Sequence, residues 1–305
     1  MKKILVLLGT LVIVGLFGLT IVNGKKSTIS PSGKLKVATS FYPLYYFASQ
    51  IGGNKVVVQN ITPSGAEPHD YDPSTRDMAT IEKGSMLILN GGVESWGDKI
   101  KANLKGTNVL VVTAGEGLLT QTVMEEGKNQ IDPHVWLDPQ SAKKEVNAIL
   151  QGYLKVDPKN RDYYYANANA LLAQLDSLDA AYAKGLATCQ KKDIITSHAA
   201  FGYLATRYHL TQVPIAGLSP DAEPSAQQLA DVVQFAQANH ITYIFFESLI
   251  SPKLSQTIAT EIGARTMVLD PIEGVADTDM KAGKNYYTIM QDNLKALQTA
   301  LQCTQ

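Results

Sequence analysis

The sequence predicts an α/β protein of two lobes, each with a mainly parallel sheet flanked by helices, joined by one long backbone helix. Three observations carry that expectation. Runs such as Met86-Leu87-Ile88-Leu89 and Val109-Leu110-Val111-Val112 show no polar alternation, as expected of parallel strands covered by helices on both faces. Such strands alternate with helical patterns in two separate blocks. Between the blocks, residues 159–187 keep one helical pattern, in which Tyr163-Tyr164-Tyr165, Leu171-Leu172, Leu175, Leu178 and Tyr182 recur and only Gly185 weakens the period.

Taken in order, the chain opens on Lys2 and Lys3 and an uncharged apolar run over residues 4–22. As a helix that run spans about 28 Å at ~1.5 Å per residue, close to bilayer thickness. Val22-Asn23-Gly24 is a poor small-x-small cleavage site, so a cleaved export signal and a retained membrane anchor both stand as readings. No cysteine lies near the run, which excludes a lipid-modified N-terminal cysteine there. Residues 25–33, rich in Ser, Thr and Pro, read as a tether. Residues 1–33 thus form a signal or anchor with its tether, and the protein is expected to work outside the cytoplasm.

The first lobe is expected over residues 34–157. Its strands fall at 35–39, 56–61, 86–89 and 109–112, and its helices at 42–51, from Ser74, at 96–104 and at 139–153. The first of these helices stops at Gly52-Gly53. Asp157-Pro158 punctuates the chain, and residues 158–188 form the connecting helix. The second lobe, 189–305, repeats the alternation with strands at 193–196, 212–216, 242–246 and 265–269. Its helices are expected at 199–207, 225–238, 252–262 and 286–302.

Composition narrows the function. With 45% hydrophobic and 18% charged residues the chain is an ordinary packed globular protein. Lys+Arg 27 against Asp+Glu 28 leaves a formal net charge of −1, so no basic excess exists to attract nucleic acid. Two cysteines, Cys189 and Cys303, are expected to form a disulfide in an exported chain. The tight turn Ala114-Gly115-Glu116-Gly117 lacks the third glycine and following helix of a dinucleotide site.

The stretch Asp132-Pro133-His134-Val135-Trp136-Leu137-Asp138-Pro139 carries the chemistry. Each proline fixes its own φ and pushes the residue before it toward extended geometry, so His134 stands on a stiff, non-helical segment that sets the imidazole direction in advance. Trp136 is placed to shield such a site from water. His69 lies in the loop after the second strand, within Pro68-His69-Asp70-Tyr71-Asp72-Pro73, and His198 directly follows the strand at 193–196. Three histidines from two lobes therefore sit at the carboxyl ends of strands, where open α/β sheets gather ligands. His209 and His240 fall at helix ends and read as structural. Three imidazoles suit zinc, and a tetrahedral site needs a fourth ligand. Asp270 and Glu273, in Leu269-Asp270-Pro271-Ile272-Glu273-Gly274, offer it; Asp270 is favoured and Glu273 is the alternative.

The segments around His69, His134, His198 and Asp270 together resemble the metal-receptor solute-binding proteins of bacterial zinc and manganese ABC importers. The likeness covers residues 34–303. It extends to Asn90-Gly91-Gly92-Val93-Glu94-Ser95-Trp96, Glu223-Pro224-Ser225 and Phe245-Phe246-Glu247-Ser248. The resemblance implies a metal at the interface of two lobes joined by a backbone helix, little hinge motion, and a monomer that hands its ion to a membrane permease. Manganese receptors of this family resemble a His-His-Glu-Asp set, whereas here the third position is His198. Zn(II) is therefore the expected cargo, with a manganese or iron receptor as the alternative. The chain lacks the long His-rich loop of many zinc members and has only residues 121–130 there, with Glu125 and Glu126. A surface adhesin is a further alternative, as is a zinc hydrolase. Against the hydrolase, the chain holds neither a His-Glu-x-x-His pair nor a Gly-x-Ser-x-Gly elbow.

Overall fold

The computed structural model describes residues 33–125 and 127–304, so the expected signal or anchor at 4–22 lies outside the described residues. The first lobe contains β1 (Leu35–Thr39), α1 (Tyr42–Gly52), β2 (Val56–Asn60), α2 (Thr75–Glu82), β3 (Met86–Leu89), α3 (Gly97–Asn103) and β4 (Leu110–Thr113). A hairpin of β5 (Thr122–Glu125) and β6 (Lys128–Ile131) follows, then α4 (Pro139–Val156) and the connecting helix α5 (Arg161–Leu186). The second lobe runs through β7 (Asp193–Thr196), α6 (Gly202–Arg207), β8 (Thr211–Pro214), α7 (Ala226–Ala238), β9 (Tyr243–Phe246), α8 (Lys253–Ile262), β10 (Arg265–Val268), α9 (Asp277–Lys281) and α10 (Tyr286–Ala300).

Both sheets are four-stranded and parallel, ordered β2-β1-β3-β4 and β10-β9-β7-β8. All four residues of β3 are buried, which is why its sequence is continuously apolar. Each sheet reverses its strand order at the centre, next to β1 in one lobe and next to β7 in the other. Loops leaving the carboxyl ends of the two sheets meet between the lobes.

Helix α5 explains why the lobes form one body. Its buried stripe, Tyr164, Ala168, Leu171, Leu175, Leu178, Tyr182 and Leu186, returns every three or four residues and packs on α1 and α4 of the first lobe and α10 of the second. Tyr153 stacks on Tyr164 with ring centroids 4.8 Å apart, and Tyr182 Oη donates to the Met290 carbonyl at 2.7 Å. Gly185, a weak point in the helical pattern, faces α10: a Cβ there would stand 2.6 Å from Gln298 Nε2. Apolar side chains of both lobes belong to one continuous core, which includes Phe41, Trp136, Ile272 and Tyr286. Cys189 and Cys303 are bonded and tie the end of the connector to the C-terminus.

Three differences from the sequence reading have local causes. Residues 121–130, expected as a loop, lie largely in the antiparallel β5–β6 hairpin, whose strands are mostly solvent-exposed and so carry no apolar signal. The helix expected at 199–207 begins only at Gly202, after Phe201 as N-cap, while the Ala199 N–H is taken by the Gly217 carbonyl at 2.8 Å. The short α9 had no counterpart in the reading; its five residues include none that is buried.

Candidate metal centre

His134 is built from its local sequence. Asp132 Oδ1 accepts both the His134 backbone N–H at 2.9 Å and the ring Nδ1–H at 2.8 Å. An ionised carboxylate only accepts, so Nδ1 carries a proton and Nε2 is the ring nitrogen that faces the lobe interface. Asp138 then caps α4 through the Gln140 and Ser141 N–H groups and takes Arg207 on both oxygens at 2.9 and 3.0 Å. Gly202 lets α6 approach this segment, since a Cβ would lie 2.6 Å from Asp132 Oδ2. Trp136 is fully buried, its ring 5.2 Å from that of His134, and its Nε1–H donates to the Pro271 carbonyl of the other lobe at 2.7 Å.

His198 repeats the device. Its Nδ1 donates to Glu247 Oε1 at 2.5 Å, and its carbonyl accepts from Thr196 Oγ1 at 2.7 Å and Gln212 Nε2 at 2.9 Å. Glu247 also accepts from the Ser197 hydroxyl. His69 comes from the long loop after β2, with its backbone N–H on Glu67 Oε1 at 3.0 Å; its side chain is 11% exposed, whereas His134 and His198 are fully buried.

All three Nε2 atoms converge on one carboxylate oxygen. Glu273 Oε1 stands 3.2 Å from His69, 3.1 Å from His134 and 3.3 Å from His198, and the His134 and His198 Nε2 atoms are 3.3 Å apart. The four donor atoms all lie within 4.8 Å of one another. A tetrahedron of ligands at zinc bond lengths of about 2.0–2.2 Å has edges of roughly 3.3–3.6 Å, close to the four edges given above.

At the fourth position the structure brings the alternative, Glu273, and not the favoured Asp270, to the three imidazoles. Asp270, the favoured carboxylate, is turned away: its Oδ2 accepts from Ser248 Oγ at 2.5 Å and its Oδ1 from the Ile272 N–H at 2.7 Å. Glu273 joins the three imidazoles in its place. His209 and His240, read as structural, stand outside the group, each with left-handed backbone after a helix end. Sequence reasoning missed the work of Asp132 and Glu247 in orienting the rings. The signal was present in each case: an acid two residues before a histidine across a proline, and an acid directly after a central strand.

The electrostatics follow from these contacts. At His134 burial opposes the charged ring, but the Asp132 and Glu273 hydrogen bonds together outweigh it and hold its pKa above the usual value. His198 is raised well above its usual value, with burial opposed first by the charge of Glu247 and then by that of Glu273. Glu273 is held well below the ordinary range, because His198 and the other imidazoles overcome the cost of its burial. Burial, then the Glu273 charge, pushes Glu67 up to about 9. Protons and a divalent cation thus compete for one buried pocket.

Comparison with known proteins places the chain in a family. The family described as ZnuA, zinc-uptake complex component A, periplasmic, matches residues 37–300. The high-affinity zinc uptake system protein ZnuA of Bacillus subtilis (strain 168) is 39% identical over 96% of this chain and 97% of its own length. The zinc-binding lipoprotein AdcA of Streptococcus pneumoniae (strain R6) is 40% identical over 97% of this chain but 60% of its own length, so this chain spans about three-fifths of that protein. The crystal structure of Zn(II)-bound AdcA from Streptococcus pneumoniae superposes with a TM-score of 0.78 at 40% identity, covering 88% of this chain and 58% of the other. The laminin-binding protein Lmb of Streptococcus agalactiae, described as bifunctional with adhesin and metal-transporting activity, gives 0.80 at 31% identity over 88% and 99%. The chain belongs to the zinc-uptake complex component A family.

Proposed function

We propose that the protein is an extracytoplasmic zinc receptor that binds Zn(II) through His69, His134, His198 and Glu273 and delivers it, as a monomer, to the membrane permease of an ABC importer. One observation carries the reading: three imidazole nitrogens and a carboxylate oxygen, drawn from both lobes, stand 3.1–3.3 Å apart along four of their edges. Three nitrogens and a single oxygen suit zinc, whereas manganese is better served by an oxygen-rich set. The relatives named as zinc-uptake and zinc-binding proteins support the same choice.

The site does not favour hydrolysis. A catalytic zinc keeps a position open for water or substrate, and here four protein side chains are at hand to close a tetrahedral sphere. Glu247, an acid that could serve as a general base, is bonded to His198. Competition with a chromogenic chelator tests the receptor reading: one zinc per chain is expected, with manganese failing to displace it. Absence of zinc binding by the folded, disulfide-bonded protein would reject it.

A further inference from the structure

Glu273 reaches the imidazoles from a turn whose backbone is strained. Ile272 has φ +61°, the left-handed region, where a β-branched residue is strained and persists only if its surroundings over-determine it. The surroundings do so through Asp270. Asp270 Oδ1 accepts the Ile272 N–H at 2.7 Å while Oδ2 is held by Ser248 Oγ at 2.5 Å. Asn293 of α10 grips the Asp270 backbone on both sides, accepting its N–H at 2.9 Å and donating to its carbonyl at 2.7 Å. Trp136 fixes the intervening Pro271 carbonyl from the other lobe. The Ile272 side chain is itself fully buried, so the residue next to the strained φ is aimed by a closed set of contacts.

We propose that Asp270 is the positioning residue for the fourth zinc ligand: its carboxylate holds Ile272 left-handed and so sets the direction in which Glu273 meets the three imidazoles, without touching the ion. This rests on the zinc site described above. The role needs an oxygen that accepts an N–H, which an amide supplies, and does not need a negative charge. A ligand role would need the charge, because a neutral amide is a poor partner for zinc.

The test compares Asp270→Asn, Asp270→Ala, Glu273→Ala and His134→Ala in the full disulfide-bonded chain. Zinc affinity is measured by chelator competition and the geometry by the visible absorption bands of bound Co(II). Asp270→Asn is expected to stay within tenfold of the parent with unchanged Co(II) bands. Asp270→Ala is expected to lose about 10–100-fold, the usual range for a residue that orients a ligand, and to shift the bands. An Asn variant as weak as Glu273→Ala would make Asp270 a ligand and overturn the proposal. An Ala variant with a lower melting temperature but unchanged affinity and bands would reduce Asp270 to scaffolding, and overturn it equally. Should Asp270→Ala fail to fold, Ser248→Ala removes one support of the same carboxylate; the same band shift with a smaller loss upholds the proposal, and unchanged bands reject it. Retention of zinc by His134→Ala would instead strike the site itself, whatever Asp270 does.

Discussion

His134 Nε2 and His198 Nε2 lie 3.3 Å apart although one imidazole belongs to the first lobe and the other to the second. The approach is built by packing around it. Trp136 bonds across the interface to the Pro271 carbonyl, Tyr286 Oη donates back to the Trp136 carbonyl at 2.5 Å, and the rings of Phe47 and Tyr286 meet edge to face at 4.8 Å. Such contacts pre-organise the ligands, so an ion entering past His69 has little conformational cost to meet.

The site residues should grade into two tiers. Replacing His69, His134 or His198 by Ala removes a bond and opens the tetrahedron, and each variant should lose well over 100-fold in zinc affinity. Asp132→Ala and Glu247→Ala leave the ligands in place but free the rings, and should lose about 10–100-fold. Chelator competition across the five variants checks the order. A histidine variant with parental affinity would remove that residue from the site.

Zinc should also stabilise the fold. An ion bound only by the closed interface raises stability by about 4 kcal/mol at a thousandfold excess over its dissociation constant. Thermal unfolding with zinc, and again after chelation, should show a reversible rise in melting temperature. Superimposable curves would contradict binding between the lobes.

The Cys189–Cys303 bond closes a loop with a sequence separation of 114. The chain-entropy model assigns such a loop about 5 kcal/mol, less any native strain. Reduction should therefore lower the midpoint of denaturant unfolding without weakening zinc binding in the folded state, since both cysteines lie at the far end of the connector. Thiol titration of the unfolded, unreduced protein should find no free sulfhydryl.

Much of this architecture was legible because burial on both faces writes itself into the chain. The four-residue apolar strand at Met86–Leu89 and the seven-residue stripe of Arg161–Leu186 have no competing reading. The three histidines were legible from their places at strand ends. The fourth donor was not: Asp270 and Glu273 flank the same Pro271-Ile272 pair, and between them lies the positive φ of Ile272. A β-branched residue gives no sign of that conformation, which tertiary contacts alone impose. The β5–β6 hairpin escaped for the opposite reason, since strands mostly exposed to solvent leave no hydrophobic period to read.

Glu145 makes a separate prediction. It is fully buried on α4, and burial pushes its pKa up to about 8 against the opposing effect of Asn90. Below about pH 4.5 it is protonated folded or unfolded. Between there and pH 8 only the unfolded chain ionises, so stability falls as pH rises through that window, by an order of 3 kcal/mol at pH 7. Glu145→Gln should match the parent near pH 4.5 and melt higher than it at pH 8. Parallel curves across that range would show that Glu145 is ionised in the native protein.

Zinc affinity should be more sensitive to acid than three ordinary histidines would make it. His134 and His198 are raised above the usual value by Asp132, Glu247 and Glu273, so protons compete with zinc already above pH 6.5. For the protein alone the signs run the other way. Raised imidazoles contribute stability below their unfolded value of about 6.5, lost as pH climbs through their folded values, and the lowered Glu273 contributes above about 4.5. Protein without zinc should thus be best supported by these groups between about pH 4.5 and 6.5, while zinc binds best above that window. Calorimetric titrations at pH 7.5, 6.5 and 5.5 in buffers of different ionisation enthalpy should show more than one proton released per zinc at pH 6.5 and a steep loss of affinity below it. Zinc binding with no proton release at pH 6.5 would mean that the two buried imidazoles are already neutral, and that Glu273 is not charge-paired with them.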